Sequence, residues 1–292
     1  MQVVDETIGF EKLKFTFNKS DNGGIAYKSR DWFEEYKSPL YTDIQRLLKP
    51  EWVLDIGANY GLTVLFSRQR FPNARIIAAE PYGALVDYIR RNAELNGIKN
   101  LQIFEGFVGD ETATEAVFHV RKDSSQDCRV KSPGLGWQPV KTAQTTLDAL
   151  ARDISDKSPV YIKIDTQGYE ASVFRGGESF LSRNQNWVIK TEFAPYWLLS
   201  QGTKPAELLR YLLSRYVVAE APARSIFAQG TLADAMRYPL RVGEIDTFLS
   251  HVEGLNRNQR GWVDLLLVPR RLYHSVIKSK PTGWRSLFRG SR

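Results

Sequence analysis

Residues 52–61, Trp-Val-Leu-Asp-Ile-Gly-Ala-Asn-Tyr-Gly, constrain the fold more than any other stretch. An apolar run enters Asp55, and Gly57 and Gly61 follow. Such a run reads as a buried strand that stops at a glycine-bearing turn. Gly57 permits a tight turn and lets a ligand approach the backbone. Leu62 to Arg70 contains no breaker and reads as a helix. Strand, turn and helix make the front half of a nucleotide-binding βαβ unit, with the helix N-terminus behind the ligand. A dinucleotide fingerprint needs G-x-G-x-x-G to bring N–H groups against a pyrophosphate. The pattern here is D-x-G-x-x-x-G, one glycine short. That disfavours a nicotinamide dinucleotide and fits S-adenosylmethionine, an adenosine carrying a zwitterionic methionine tail.

The rest of the chain is read around this unit. Phe10 to Asn18 alternates apolar and polar residues, so residues 8–18 read as one half-buried strand. Asn22-Gly23-Gly24 reads as a turn, residues 31–37 as an aromatic-rich helix, and residues 40–48 as a short helix closed by Pro50. Residues 1–50 thus form an N-terminal cap. Strands follow at 75–80, 101–109, 114–120, 160–165 and 187–192, with a helix over 85–96 and helices opening at Thr146 and Glu170. Residues 122–139 read as a long irregular loop, and loops of that length inside a domain are commonly functional. Trp137 lies in this loop and is a candidate for stacking on a sugar or gating a substrate. Residues 222–261 read as irregular and are a candidate lid. Alternating strands and helices imply a parallel sheet with helices on both faces. Three strands end in acids, Glu80, Asp165 and Glu192. In an open α/β sheet those ends line the ligand crevice. Glu80, at the end of the second strand, is placed to accept the ribose hydroxyls of an adenosine. Asp110, in the turn after the third, is a candidate partner for the adenine amino group or a plain turn aspartate.

These residues resemble class I S-adenosylmethionine-dependent methyltransferases of the FkbM type. The resemblance rests on Val53 to Gly61, Glu80-Pro81, Asn92 and Asn96, Thr146-Leu147-Asp148, and Ile162-Lys-Ile-Asp-Thr-Gln-Gly-Tyr-Glu170. It covers about residues 50–200 and extends weakly to Asp264–Pro269. Two departures stand out: Tyr60 replaces a usual small aliphatic residue, and Thr166-Gln167 replace a common Val-Glu. The resemblance implies a Rossmann-like, mostly parallel seven-stranded sheet spanning residues 51–268. It also implies methyl transfer to an oxygen of a saccharide, glycoconjugate or natural product such as a polyketide. A donor-binding regulatory protein without catalysis is the alternative. Carried over by position, Asp55, Gly57, Ala58, Asn59, Tyr60 and Gly61 surround the methionine portion, Glu80 and Pro81 the ribose. Phe107, Val108 and Asp110 lie along the adenine, and Asp165 borders both cofactor and acceptor. The Tyr60 ring is the expected aromatic neighbour of the donor's cation.

An alcohol nucleophile needs a base. Asp165 is the first candidate, with Glu192, His119 and His251 behind it. No His/Cys cluster has metal-ligand spacing, so no metal is expected. With 42% hydrophobic and 25% charged residues, the 292-residue composition is that of a soluble globular protein. The net charge of +7 equals the seven basic residues of the tail at 269–292, which holds no acid. A neutral body argues against nucleic acid as a partner. The basic tail, with Trp284, Leu287 and Phe288, suits peripheral contact with an anionic membrane face. The single Cys128 forms no intrachain disulfide, and the N-terminus lacks a signal-peptide pattern. A cytoplasmic location is expected, at the inner face of the membrane if the tail docks there.

Overall fold

The computed structural model describes residues 5–29, 36–132, 134–222, 230–256, 258 and 260–278. The apolar run before Gly57 forms strand β3 (Trp52–Ile56), and the helix after Gly61 covers Leu62–Arg70. Strands β4 (Arg75–Glu80), β5 (Leu101–Gly109), β8 (Val160–Ile164) and β9 (Trp187–Phe193) stand where apolar runs meet Gly, Pro or an acid. β3, β4, β5, β8 and β9 pair in parallel. Beyond β9 lie β11 (Val263–Val268), antiparallel to it, and β10 (Val217–Glu220), antiparallel to β11. Beyond β5 lie β7 (Gln138–Thr146) and β6 (Ala113–Val120), so the full order is β10-β11-β9-β8-β3-β4-β5-β7-β6.

Among the described residues the sheet therefore has nine strands, not the seven expected. β6 stands where residues 114–120 read as a strand, and it pairs antiparallel with β7, which joins it to β5; β7 and β10 have no counterpart in the sequence reading. Residues 138–146, Gln-Pro-Val-Lys-Thr-Ala-Gln-Thr-Thr, show little apolar periodicity because most of their side chains reach solvent. Pairing with β5 and β6 makes them a strand, and no local pattern reports that. Residues 8–18 likewise form two strands. β1 (Asp5–Phe10) and β2 (Leu13–Asn18) pair as a hairpin that reverses at Glu11, whose φ is 51°. Asn22-Gly23-Gly24 opens a short helix, Asn22–Ala26, whose N-cap is Asp21. The helix expected at 31–37 lies mostly outside the described residues.

Residue parity within each strand sorts the core into two faces. Leu54, Ile77, Ile162, Ile189 and Leu265 pack on one side. Val53, Ile76, Tyr161, Val188 and Leu266 pack on the other, together with the N-terminal cap. Phe15 and Phe17 anchor the cap there, and burial of each contributes roughly 1.5–3 kcal/mol. Asn92 and Asn96, one helical turn apart on helix Gly83–Leu95 and its C-cap, fix the register. Asn92 Oδ1 accepts from Thr16 N (2.7 Å) and its Nδ2 donates to Thr16 O (3.0 Å). Asn96 repeats the pair on Lys14, at 2.9 and 2.7 Å. Two side chains thus supply the bonds that a neighbouring strand would give to β2.

Segment 222–261 is more regular than expected. Among its described residues, Leu232–Met236 and Ile245–Gly254 are helices, the latter burying Ile245, Phe248 and Val252. The tail begins as a helix, Arg270–Lys278, that buries Val276 against the cap side. Residues 279–292, with Trp284, Leu287 and Phe288, lie outside the described residues. Among the described residues no helix is long and apolar enough to cross a membrane.

Candidate active site

A cavity of about 320 Å³ opens at the carboxyl ends of β3, β4, β8 and β9. That is where a doubly wound sheet leaves room for a ligand, and the volume lies in the range of small-molecule sites. Gly57, Ala58 and Asn59 form its inner turn. Gly57 has φ 83°, and a Cβ there would stand 1.9 Å from the carbonyl oxygen of Asp165. Only glycine lets the two strand ends approach so closely. Glu80 is buried beside this turn. Its Oε2 accepts from Asn59 N (2.8 Å) and its Oε1 from Tyr82 N (3.0 Å). Each oxygen keeps a second lone pair for a ligand hydroxyl.

Burial pushes the Glu80 carboxyl up to about 7, against the two backbone donors that stabilise its ionised form. The consequence for stability has a definite sign. Unfolded, this group titrates near 4.5, so between about 4.5 and 7 the folded chain holds a proton that the unfolded chain has lost. Stability from this group is full below that window and falls as pH rises through it. Ligand-free wild type is expected to lose stability relative to Glu80→Gln at about 1.4 kcal/mol per pH unit across the window. Chemical denaturation of both proteins between pH 4.5 and 8 checks this, and parallel profiles would refute it.

The floor is a row of charge on the cap-facing side of the sheet. Asp55, Lys163 and Lys190 stand in register on β3, β8 and β9. Lys163 Nζ lies 3.5 Å from Asp55 Oδ1 and 3.4 Å from Asp165 Oδ2. Lys190 pairs with Asp264 at 2.8 Å. Burial works against the Lys163 charge, yet Asp165 and Asp55 hold its pKa well above the ordinary lysine value. Burial pushes Asp55 up to about 6, partly offset by Lys163. Glu192 follows Lys190 by two residues on β9 and lines the same cavity. Gln167 Nε2 donates to Asp165 Oδ1 (3.0 Å) and to Glu192 Oε2 (3.3 Å), bridging two acids that would otherwise repel. Glu170 closes the turn beneath, accepting from Thr166 N, Thr166 Oγ1 and Gly168 N.

The structure gathers Gly57, Ala58, Asn59, Glu80, Pro81, Phe107, Val108, Asp165 and Glu192 around one cavity. The other sequence candidates stand apart from its lining. Asp55 lies under the turn, paired with Lys163. Gly61, at φ 82°, starts the following helix. Tyr60 turns into the cap, its hydroxyl donating to Asp21 (2.7 Å) and its ring against Phe15, Tyr27 and Tyr88. Asp110 pairs with Arg175 at 2.8 Å. His119 bonds through Nδ1 to Val130 O (2.8 Å), pinning the loop after β6. His251 stands exposed, 3.7 Å from Glu220.

Loop residues Ser125 to Cys128 line the cavity, which accounts for the long loop. Trp137 instead braces that loop, donating from Nε1 to Asp127 O (2.8 Å) under the guanidinium groups of Arg121 and Arg129. Among the described residues, Trp197 and Trp262 are the tryptophans at the cavity wall. Lys163, Lys190, Tyr27 and Tyr36 also line it, and the sequence reading passed over all four. Ile162-Lys-Ile-Asp165 and Ile189-Lys-Thr-Glu192 did carry a signal for the lysines. A lysine inside an apolar strand, two residues before a terminal acid, marks a charge buried for a reason.

Comparison with known proteins agrees with this geometry. Residues 55–217, more than half of the chain, match the methyltransferase FkbM domain family. Methyltransferase sdnD of Sordaria araneosa is 39% identical over 64 residues, covering 20% of this chain and 25% of that protein. Methyltransferase 1 of Beauveria bassiana is 24% identical over 152 residues, covering 46% and 61%. The chain thus spans less than two thirds of either relative. A solved FkbM methyltransferase from Methylobacillus flagellatus superposes with a TM-score of 0.43 at 15% identity, over 80% of this chain and 50% of that one. The glycine turn, the strand-end acids and the matched span lead to one assignment: the chain belongs to the FkbM methyltransferase family.

Proposed function

We propose that the protein transfers a methyl group from S-adenosylmethionine to a hydroxyl of a saccharide, glycoconjugate or other natural product. The observation that carries this reading is the continuity of one cavity from Glu80 and Phe107 at one end, past Gly57 and Asp165, to Glu192, Trp197 and Trp262 at the other. The residues suit the donor. Glu80 offers lone pairs to a ribose diol, Pro81, Phe107 and Val108 give apolar walls for adenine, and the 57–59 turn meets the methionine portion. Bound there, the donor supplies an electrophilic methyl group. The chain does the rest by orientation and proton removal. Asp165 remains 32% exposed despite its contact with Lys163, so a hydroxyl can reach it. Glu192 and Gln167 can hold neighbouring hydroxyls, while the two tryptophans offer flat faces to a ring and exclude water. Polyketide hydroxyls meet the same requirements.

Calorimetry with S-adenosylhomocysteine and with NAD tests the donor. Binding of the first alone is expected, and binding of NAD alone would overturn the proposal. Labelled-methyl transfer to fractions enriched in glycans, lipids or small metabolites then identifies the acceptor. Donor binding with no transfer to any hydroxyl compound would favour a regulatory role.

A further inference from the structure

Part of the cavity comes from outside the family-matched span, which starts at residue 55. Tyr27 and Tyr36 precede it, and both line the cavity. They belong to the cap and lie over the sheet face that carries Asp55, Lys163 and Asp165. We propose that Tyr27 is a binding residue for the cationic end of the methyl donor. This rests on the donor reading above.

Three observations carry the assignment. Tyr27 lines the same cavity as Lys163 and Asp165, and its hydroxyl interacts with the charges of Lys163, Asp165 and Asp55 at the end of β3 and β8. Burial keeps the phenol protonated far above its ordinary range, so the ring is neutral at any working pH. A neutral aromatic ring beside a cation attracts it through the ring quadrupole, most strongly where water is excluded. The ring is also firmly held. Phe15 and Tyr60 pack against it in edge contacts at 5.3 and 6.0 Å.

The segment that carries Tyr27 is docked on the cavity loop. Asp21 accepts from Gly23 N, Gly24 N, Ser125 N and Tyr60 Oη, tying cap, loop and glycine turn to one carboxylate. Asn22 N donates to Asp123 O at 2.9 Å. A Cβ on Gly23 would stand 2.3 Å from Ser125 Oγ, so this contact is close-packed. Tyr36 is a poorer candidate. Its ring is stacked on Phe66 at 4.0 Å and on Tyr41 at 4.8 Å, and its hydroxyl bonds to Thr63 Oγ1. The aromatic neighbour that the sequence suggested at Tyr60 is thus supplied by the residue packed against it.

S-adenosylmethionine and S-adenosylhomocysteine differ by one methyl group and the sulfonium charge, so their affinity ratio reads charge recognition separately from pocket integrity. Calorimetry of the full chain against both is the test. Wild type is expected to bind both. Tyr27→Leu should lose roughly 2- to 30-fold in S-adenosylmethionine affinity, the range of a cation on an aromatic face. Its affinity for S-adenosylhomocysteine should change little. Tyr27→Phe keeps the ring and should keep the ratio, and Tyr36→Leu should shift both ligands together. If Tyr27→Leu melts below the assay temperature, Tyr27→Met carries the same comparison with more volume filled. An unchanged ratio in the aliphatic variants overturns the role of Tyr27 while leaving the donor reading intact. Wild type that binds neither ligand overturns both.

Discussion

Replacing Gly57 by alanine is expected to abolish donor binding and to lower the melting temperature well beyond the effect of an ordinary left-handed glycine. Two costs combine at this position. The backbone stands at φ 83°, where an L side chain is strained by about 1–3 kcal/mol. The new Cβ would also fall 1.9 Å from Asp165 O, a backbone atom that cannot swing aside. Relief requires β3 and β8 to separate at their carboxyl ends. That movement would also disturb the Lys163 contacts with Asp55 and Asp165 and the bond from Lys163 Nζ to Gly57 O. Gly97→Ala is the control. Its φ is 64°, yet among the described residues nothing lies within 4 Å of the added carbon, so strain acts alone. At about 2–4 °C per kcal/mol for a large domain, Gly97→Ala should lower the melting temperature by roughly 2–12 °C. Gly57→Ala should fall below it and lose S-adenosylhomocysteine binding. Equal melting temperatures with binding retained would show that the strand ends can part at no cost.

The boundaries of β3 and β4 were legible because an apolar run there ends at Gly57 or Pro81, and burial on both faces made the runs continuous. β5, buried only over its second half, was marked by the glycine that ends it. The same logic placed Glu80, Asp165 and Glu192 at the cavity. Elements whose stability comes from distant partners were not legible. β7 is polar and half exposed, and its strand character comes from β5 and β6. The β1–β2 reversal at Glu11 is a positive-φ turn without glycine, which no turn signature announces. Asp21 reads as an ordinary loop aspartate, yet its decisive partners are Tyr60 and Ser125, 39 and 104 positions away. The Tyr60 side chain stands away from the cavity lining for the converse reason. It sits inside the ligand-binding motif, but its backbone direction sends the ring into the aromatic cluster of the cap, where apolar area and the Asp21 bond hold it.

Asp165→Asn is expected to bind the donor nearly as wild type does and to transfer methyl 10²- to 10⁴-fold more slowly, the usual contribution of a positioned base. The change is close to isosteric. Asp165 sits at the meeting point of Lys163, Gln167 and the cavity, and an amide keeps a carbonyl oxygen for one of the first two. What it loses is the capacity to take a proton. Glu192→Gln separates the two acids. Glu192 shares Gln167 but lies one strand further from Asp55 and Gly57, so its loss should raise the acceptor KM more than it lowers kcat. Single-turnover transfer at saturating donor reads the chemical step directly. If Asp165→Asn transfers at the wild-type rate while Glu192→Gln does not, the base is Glu192, and Asp165 serves to hold Lys163 and the turn at Gly57.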